Sequence, residues 1–143
     1  MPKTYSSIWI HVVWTTKNRH PLLRKRFRVD LCTYIRRNAM EKGIIVDMIN
    51  GVEEHLHALV RFLPSQSISN AVKQIKGASS RWLNKNEFLD VKFSWQQGFG
   101  ALSVSPSEIN KIRNYIKKQE EHHKHWKLED ELKRFQHFEQ KNP

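Results

Sequence analysis

The chain of 143 residues has few of the residues that define several protein classes. Cys32 is its only cysteine, which excludes an intramolecular disulfide and a zinc site built from several cysteines. Five glycines and five prolines are too few for a collagen-like or low-complexity chain. No apolar run approaches the length that spans a bilayer, and the N-terminal residues lack the pattern of a signal peptide. We therefore expect one cytoplasmic domain over residues 1–143, in which 126–143 form a C-terminal helical extension.

Acidic residues are also scarce, with 14 Asp and Glu against 25 Lys and Arg, so the formal net charge is +11. The surplus is concentrated in two segments, because residues 17–37 carry a net +7 and residues 61–92 a net +4. Between them, residues 38–60 carry a net −3. Such a balance indicates a polyanionic partner, most often a nucleic acid. Two solvated helix faces would also account for the pattern, and that interpretation stays open at this point.

Hydrophobic periodicity predicts an alternation of strands and helices. Strands are predicted over residues 8–15, 44–49, 55–62, 91–95 and 101–104. Helices are predicted over residues 21–43, 68–82, 106–124 and 128–140. Gly43 is the expected C-cap of the first helix, and Ser105-Pro106-Ser107-Glu108 is the expected capping box of the third.

The order of the elements through residue 95 is β-α-β-β-α-β, which is the ferredoxin-like arrangement of the α+β class. In this topology the first and third strands are neighbours in the middle of an antiparallel sheet, and the helices cover one face. A C-terminal helix that carries Tyr115 follows the sheet. The tryptophans expected in the core are Trp9, Trp14, Trp82 and Trp95, whereas Trp126 is expected to be exposed or at an interface.

The third predicted strand contains His55-Leu56-His57. Alternation places both histidines on the face opposite Leu56 and Ala58, with their Cβ atoms about 6–7 Å apart. Two neighbouring imidazoles suit a shared metal ion. Two surface or half-buried histidines would fit the same spacing, which alone does not decide between these alternatives. His11, on the neighbouring strand by topology, could face the same site, although a half-buried sheet residue is the expectation.

Tyr115 and Gln119 are four residues apart on the predicted C-terminal helix and therefore share a face. A half-buried tyrosine and a solvated glutamine would fit this spacing equally well. Beside two histidines the same pair has a specific chemistry, because a tyrosine phenol can attack a phosphodiester. Such an attack needs a Lewis acid at the phosphoryl group, and the Gln119 amide oxygen offers a further metal ligand.

These residues resemble one family, the single-tyrosine transposases of small bacterial insertion sequences (insertion-sequence 200-like transposases), which are HUH, or His-hydrophobic-His, endonucleases. The resemblance covers about residues 6–125, with motifs in the family's order and spacing. These motifs lie at residues 14–21, 51–60, 76–80, 95–99 and 115–123. One departure is Glu54, because the family often has Asp before the first histidine.

The resemblance implies that Tyr115 is the catalytic nucleophile and that His55, His57 and Gln119 bind a divalent metal ion, Mg or Mn. It implies a DNA transposase that cleaves and rejoins single-stranded DNA at the hairpin ends of an insertion sequence, through a 5′-phosphotyrosine intermediate. It also implies a ferredoxin-like fold and a homodimer in which the tyrosine helix is shared between subunits.

Contacts to DNA are expected from the two basic segments, since phosphate contacts position a nucleic acid. The candidate residues are Lys17, Arg19, Arg24, Lys25, Arg26, Arg28, Lys73, Lys76 and Arg81. Three further histidines, His122, His123 and His125, are expected to form a solvated helix end rather than a metal site.

Three other functions stay open. A domesticated, repeat-associated relative would share the tyrosine chemistry but act on genomic repeats. A non-catalytic nucleic-acid-binding module would tolerate the loss of Tyr115 and of the histidines. A small metal-dependent hydrolase with water as its nucleophile would keep the histidines and tolerate Tyr115→Phe.

Overall fold

A computed structural model describes residues 3–121, 127–130 and 133. Its strands form one antiparallel sheet and are β1 Ile8–Thr15, β2 Ile45–Gly51, β3 His55–Phe62 and β4 Gly100–Val104. Its helices are α1 Lys25–Glu41, α2 Ile68–Lys85 and α3 Ile109–Lys117. The strands lie in the order β2-β3-β1-β4, so β3 and β1 are central. The predicted ferredoxin-like fold is therefore confirmed.

Different helices cover the two faces of the sheet. On one face, α1 and α2 bury the main core, which includes Val12, Ala58 and Phe27. On the other face, Ile116 of α3 packs in a smaller cluster with Leu59 of β3. Because side chains alternate along a strand, neighbouring residues of β3 serve the two faces in turn. The α3 face is the one that receives the predicted metal ligands.

The prediction of a strand over 91–95 is wrong, and β4 fills the last strand position of the fold. Phe93 and Trp95 are buried, which accounts for the apolar alternation, and Trp95 makes an isolated bridge to Thr16. The backbone of Phe93 bonds instead to the side chain of Asn84, with N–O distances of 2.7 and 3.0 Å. Since a side chain occupies these backbone groups, the segment packs against the core without joining the sheet.

The first helix is shorter than predicted at its N-terminus. It begins at Lys25 rather than at residue 21, because the Leu23 N–H donates to the Glu53 carbonyl at 2.8 Å and ties this segment to the β2–β3 connection. Gly43 follows the helix with a φ of 77°, a left-handed conformation that glycine adopts without strain. The helix itself ends at Glu41 and its C-cap is Lys42, so Gly43 lies one position beyond the observed cap.

The predicted capping box of the third helix is wrong. The Ser105 hydroxyl lies 3.2 Å from the Ser107 hydroxyl and does not cap the helix. Residues 106–108 form a 3₁₀ turn, and α3 begins after it. Beyond α3, residues 119–121 make a further helical turn.

The tryptophans predicted in the core divide into two groups. Trp14 and Trp95 are buried, as predicted. Trp9 and Trp82 are half-buried. Trp9 lies on the α3 face, where the guanidinium group of Arg61 is 5.9 Å from its ring. Cation–π contact therefore replaces complete burial at Trp9.

Part of the predicted C-terminal region lies outside the described residues. This applies to His122, His123, His125 and Trp126, and to most of the extension over 126–143. Leu128 is described and is buried. Among the helices that the structure describes, none has the length and apolar character needed to cross a membrane.

Candidate active site

His55 and His57 lie at the start of β3, on the face that α3 covers. Both are completely buried, and their ring centroids are 5.0 Å apart. The strand is central, so hydrogen bonds to β1 and β2 restrain it on both sides. The structure thus places the two predicted ligands side by side in the interior, and the alternative of two surface histidines is excluded.

Gln119 reaches the same place from the helical turn that follows α3. Its Oε1 lies 2.9 Å from Nε2 of His55, and the side chain is completely buried. Its amide nitrogen has no hydrogen-bond partner among the residues that the structure describes. A buried donor without a partner costs on the order of 1–3 kcal/mol. Such a cost is typical of a side chain kept for function rather than for packing.

Tyr115 lies on α3, one helical turn before Gln119. Its ring centroid is 5.7 Å from that of His57 and 6.1 Å from that of His11, with both pairs edge to face. The side chain is half-buried and packs beside Leu59. The predicted nucleophile and the predicted ligands therefore meet at one site, although separate parts of the chain supply them.

His11 lies at the site, which the sequence analysis left open but did not favour. The expectation of a half-buried sheet residue is wrong, because His11 is completely buried and its Nε2 lies 2.8 Å from Nδ1 of His57. The strand register explains the contact. His11 pairs with Leu59 and Val13 pairs with His57, so the two histidines are diagonal neighbours on one face. Alternation along the strands indicates that the two residues share a face of the sheet. The sequence does not show the strand register that brings their rings into contact.

Polar contacts seat α3 on the sheet. Arg113 donates two hydrogen bonds to the carboxylate of Asp47, at 2.7 and 2.8 Å. The Asn50 amide donates to the carbonyl oxygens of Ile116 and Lys117, both at 3.1 Å. A bidentate ion pair fixes orientation as well as distance. These bonds set the position of Tyr115 relative to β2 and β3.

A buried arginine holds the segment after α3. Arg28 donates to the carboxylate of Glu120 and to the carbonyl of Leu23, each at 2.7 Å. Its side chain is 7% exposed, whereas that of Glu120 is 45% exposed. Burial alone would raise the pKa of Glu120, but the hydrogen bond from Arg28 and the charges of Lys25 and Arg28 outweigh it and lower that pKa. The ion pair connects α1 to the turn that carries Gln119.

Glu120→Gln is expected to lower the free energy of unfolding at pH 7 by about 1 kcal/mol, a modest loss because the carboxylate is partly screened by solvent. The variant leaves the buried guanidinium group of Arg28 without its carboxylate. Urea unfolding measures the change, with Glu121→Gln, at the exposed neighbouring position, as the matched control. The folded-state pKa of Glu120 is lowered, so its contribution is present at neutral pH and is lost as the pH falls through that pKa. Equal stability of the two variants at pH 7 would contradict this role.

The basic residues predicted to contact DNA do not all face solvent. Arg28 is buried in the pair with Glu120, and Arg19 pairs with Glu129. Lys76 donates from Nζ to carbonyl oxygens in the loop 96–98 at 2.7 and 2.9 Å, and burial lowers its pKa. The exposed candidates are Lys17, Arg19, Arg24, Lys25, Arg26, Lys73 and Arg81, of which Arg19 and Lys25 also pair with acidic side chains. Some of the charge counted in the sequence therefore holds the protein's own chain together.

A pocket of 340 Å³ lies next to the candidate ligands. Its lining includes Glu54, which precedes His55, and Glu120, which follows Gln119. The Glu54 carboxylate is 3.7 Å from Nδ1 of His55, which is too long for a hydrogen bond.

The donor set at the site suits a divalent metal ion. In the described part of the chain, no group of three or more His, Cys, Asp or Glu side chains is placed to hold one, so an ion at this site would need a third protein ligand of another type. Gln119 fits this requirement. Its Oε1 and Nε2 of His55 are 2.9 Å apart. Neighbouring ligands of an octahedral ion are about 3 Å apart when each lies about 2.1 Å from the metal. Two imidazoles and one amide oxygen form a mixed set that suits Mn²⁺ and, less typically, Mg²⁺.

Comparison with known proteins gives matches to transposases. The family described as "Transposase IS200 like" matches residues 4–119. The ISDra2 transposase TnpA of Deinococcus radiodurans is 30% identical over 114 residues, which are 76% of this chain and 81% of that protein.

A crystal structure of a candidate transposase from Deinococcus radiodurans R1 has a TM-score of 0.67 and 26% identity, over 83% of this chain and 98% of that one. A REP-associated tyrosine transposase bound to a REP hairpin has a TM-score of 0.60, over 86% of this chain and 74% of that one. Its identity is 14%, so this last match shows a likeness of fold alone.

Proposed function

The chain belongs to the IS200-like transposase family, and from this premise we propose that it cleaves and rejoins single-stranded DNA at insertion-sequence ends through a 5′-phosphotyrosine intermediate. The observation that supports the proposal is the meeting of Tyr115 with His55, His57 and Gln119 at one site. The chemistry requires a nucleophile and a Lewis acid at the phosphate, and here a phenol lies beside two imidazoles and an amide oxygen that could hold a metal ion.

Tyr115 supplies the nucleophile in the proposed first step. Its phenolic oxygen forms a bond to the phosphorus of the scissile phosphodiester, and the bond from phosphorus to the 3′ oxygen breaks. The phenol loses its proton, and the departing 3′ oxygen takes one up and leaves as a hydroxyl. Cys32 does not compete as a nucleophile, because burial raises the pKa of its thiol to about 12.

The proposed second step rejoins the strands. A 3′-hydroxyl loses its proton and attacks the phosphorus of the phosphotyrosine, and the bond to the Tyr115 oxygen breaks. The tyrosine oxygen takes up a proton and is ready for another cycle. Each step exchanges one phosphoester bond for another, so the reaction needs no ATP.

His55, His57 and Gln119 are the residues proposed to hold a divalent ion, Mg or Mn. Such an ion, when bound, supplies positive charge that polarises the scissile phosphate. All three side chains are completely buried, so their donor atoms are held in place before the substrate arrives. This preorganisation lets the protein place the charge without reorganising at the moment of reaction.

The test of the proposal incubates the protein with single-stranded DNA that carries the end of its own element, in Mg²⁺ or Mn²⁺. A denaturing gel is expected to show a protein–DNA species that survives denaturation, together with a fragment that ends in a 3′-hydroxyl. The same sequence as a duplex and a scrambled single strand are the controls. Cleavage without a covalent species would contradict the tyrosine mechanism and favour the hydrolase alternative.

A second candidate function is action on genomic repeats by a domesticated relative. It is favoured by the fold match to a protein whose structure contains a REP hairpin.

We propose hairpin DNA as the substrate in either case, held by the exposed basic residues. Such DNA lies in the cytoplasm, where we propose that the protein acts. Parallel assays with a hairpin from the element's end and one from a genomic repeat distinguish the two functions.

We also propose a homodimer in which α3 is shared between subunits. The contacts that seat α3 join distant parts of the sequence, as in the pairs Arg113–Asp47 and Arg28–Glu120. Identical contacts can form with a second copy of the chain, which makes the exchange of an identical element cheap in free energy. Each sheet would then receive the tyrosine of its partner.

Mixed dimers of Tyr115→Phe and His57→Ala test this sharing. Each variant alone is expected to be inactive, whereas purified mixed dimers should recover about half of the wild-type covalent product, since one of two exchanged sites is intact. Two different affinity tags on co-expressed chains allow these dimers to be isolated. Inactive mixed dimers would show that each site is completed within one chain.

A further inference from the structure

We propose that His11 is a positioning residue that sets which ring nitrogen His57 presents to the metal ion. The inference rests on the proposed function and deepens it, because His11 is outside the proposed ligand set. It is carried by the 2.8 Å contact between Nε2 of His11 and Nδ1 of His57, two rings that are both completely buried.

The contact constrains where the protons of the pair lie. A neutral imidazole carries one proton, on either Nδ1 or Nε2. His57 engages His11 through Nδ1, so it binds a metal ion through Nε2, and a nitrogen that binds a metal carries no proton. Nδ1 of His57 then holds the proton and donates it to Nε2 of His11. Metal-binding histidines commonly donate their second N–H in this way, which fixes the tautomer and the orientation of the ring.

The surroundings of His11 make it a rigid acceptor. It lies on the central strand β1, where it pairs with Leu59 of β3 and Leu102 of β4. Its ring centroid is 5.0 Å from that of His57, and the two planes are inclined by 33°. The Tyr115 ring stands edge to face against both histidines. A rotation of the His57 ring would therefore disturb its relation to the nucleophile as well as the direction of Nε2.

Two substitutions separate positioning from packing. His11→Leu removes the acceptor, whereas His11→Gln keeps a carbonyl oxygen that can accept from Nδ1 of His57. Calorimetric titration with Mn²⁺ alone, without DNA, is expected to show a 10–100-fold weaker affinity for His11→Leu, the scale found when such a supporting contact is lost. His11→Gln is expected to bind Mn²⁺ nearly as well as the wild type. Thermal unfolding without metal shows whether each variant is folded.

Proton–nitrogen correlation spectra of the wild-type protein give a readout that needs no substitution. In the Mg²⁺-loaded protein, His57 is expected to carry its proton on Nδ1, and His11 on its own Nδ1. A His57 protonated on Nε2 would overturn the proposal, as would a folded His11→Leu with wild-type affinity for Mn²⁺, and both results leave the proposed function standing. A wild type that binds no Mn²⁺ through His57 would overturn the proposed metal site and this inference together.

Discussion

Tyr115→Phe is expected to abolish the covalent protein–DNA species and to lower strand cleavage by on the order of 10⁴-fold or more, as for other enzymes that lose their nucleophile. The substitution removes the reacting oxygen and keeps the ring that packs beside Leu59. The free energy of unfolding should therefore change by less than about 1 kcal/mol. Denaturing gels quantify the covalent species, and the cleaved strand is followed over time in excess protein.

Tyr34→Phe is the matched control for this experiment. Tyr34 is also half-buried, but it lies on α1, where its ring stacks on Trp82 at a centroid distance of 5.0 Å. This control should form the covalent species at the wild-type rate. A covalent species in Tyr115→Phe would identify another nucleophile, and cleavage without one would identify a hydrolase. A wild type that binds DNA but leaves it intact would be a non-catalytic nucleic-acid-binding module.

The sequence predicted the order of the elements better than their boundaries. Alternation reports which side chains are buried, and burial does not always mean pairing in a sheet. Phe93 and Trp95 show the difference, because both are buried while Asn84 takes up the backbone groups of Phe93. The edge strand β4 alternates in burial along its length and pairs with β1, so the prediction of a strand over 101–104 is confirmed.

The sequence predicted which face each of the four candidate residues occupies, but not the contacts that support them. His55 and His57 share a strand, so their common face follows from the two-residue period. Tyr115 and Gln119 follow from the helical period in the same way. The contact of His11 with His57 depends instead on the register between two strands, which involves residues 46 positions apart.

The roles of the individual basic residues likewise could not be predicted from the sequence. Arg28 is one of four basic residues within 24–28, and the sequence does not distinguish it from its neighbours. Arg28 lies on the buried side of α1, next to Phe27. There its guanidinium group bonds to Glu120, which is 92 positions later in the chain. A count of charges therefore predicts a polyanionic partner. Only the structure shows which basic residues are exposed to a substrate and which ones stabilise the fold.

His57→Ala is expected to have the second largest effect, the loss of metal binding. For the wild type, Mn²⁺ at 100 times its Kd should stabilise the fold by about 2.7 kcal/mol, which corresponds to a rise in Tm of roughly 8 °C. The variant lacks one of three proposed protein ligands, and its affinity should fall by more than about 100-fold. At the same Mn²⁺ concentration the stabilisation should then be no more than about 0.4 kcal/mol. Strand cleavage should be lost with it.

The measured quantity is the difference in Tm with and without Mn²⁺, because removal of a completely buried ring lowers the Tm by itself. His57→Gln is a second variant that fills more of the space and is expected to lose the same metal-dependent rise. His20→Ala, at an exposed position, is the matched control and should keep the rise in full. A rise that persists in folded His57→Ala would place the ion elsewhere and contradict the proposed ligand set. We expect the rise to be lost in both His57→Ala and Gln119→Ala and to be kept in His20→Ala. The 2.9 Å contact between Nε2 of His55 and Oε1 of Gln119 predicts this result, because one ion would bind both strand β3 and the turn after α3.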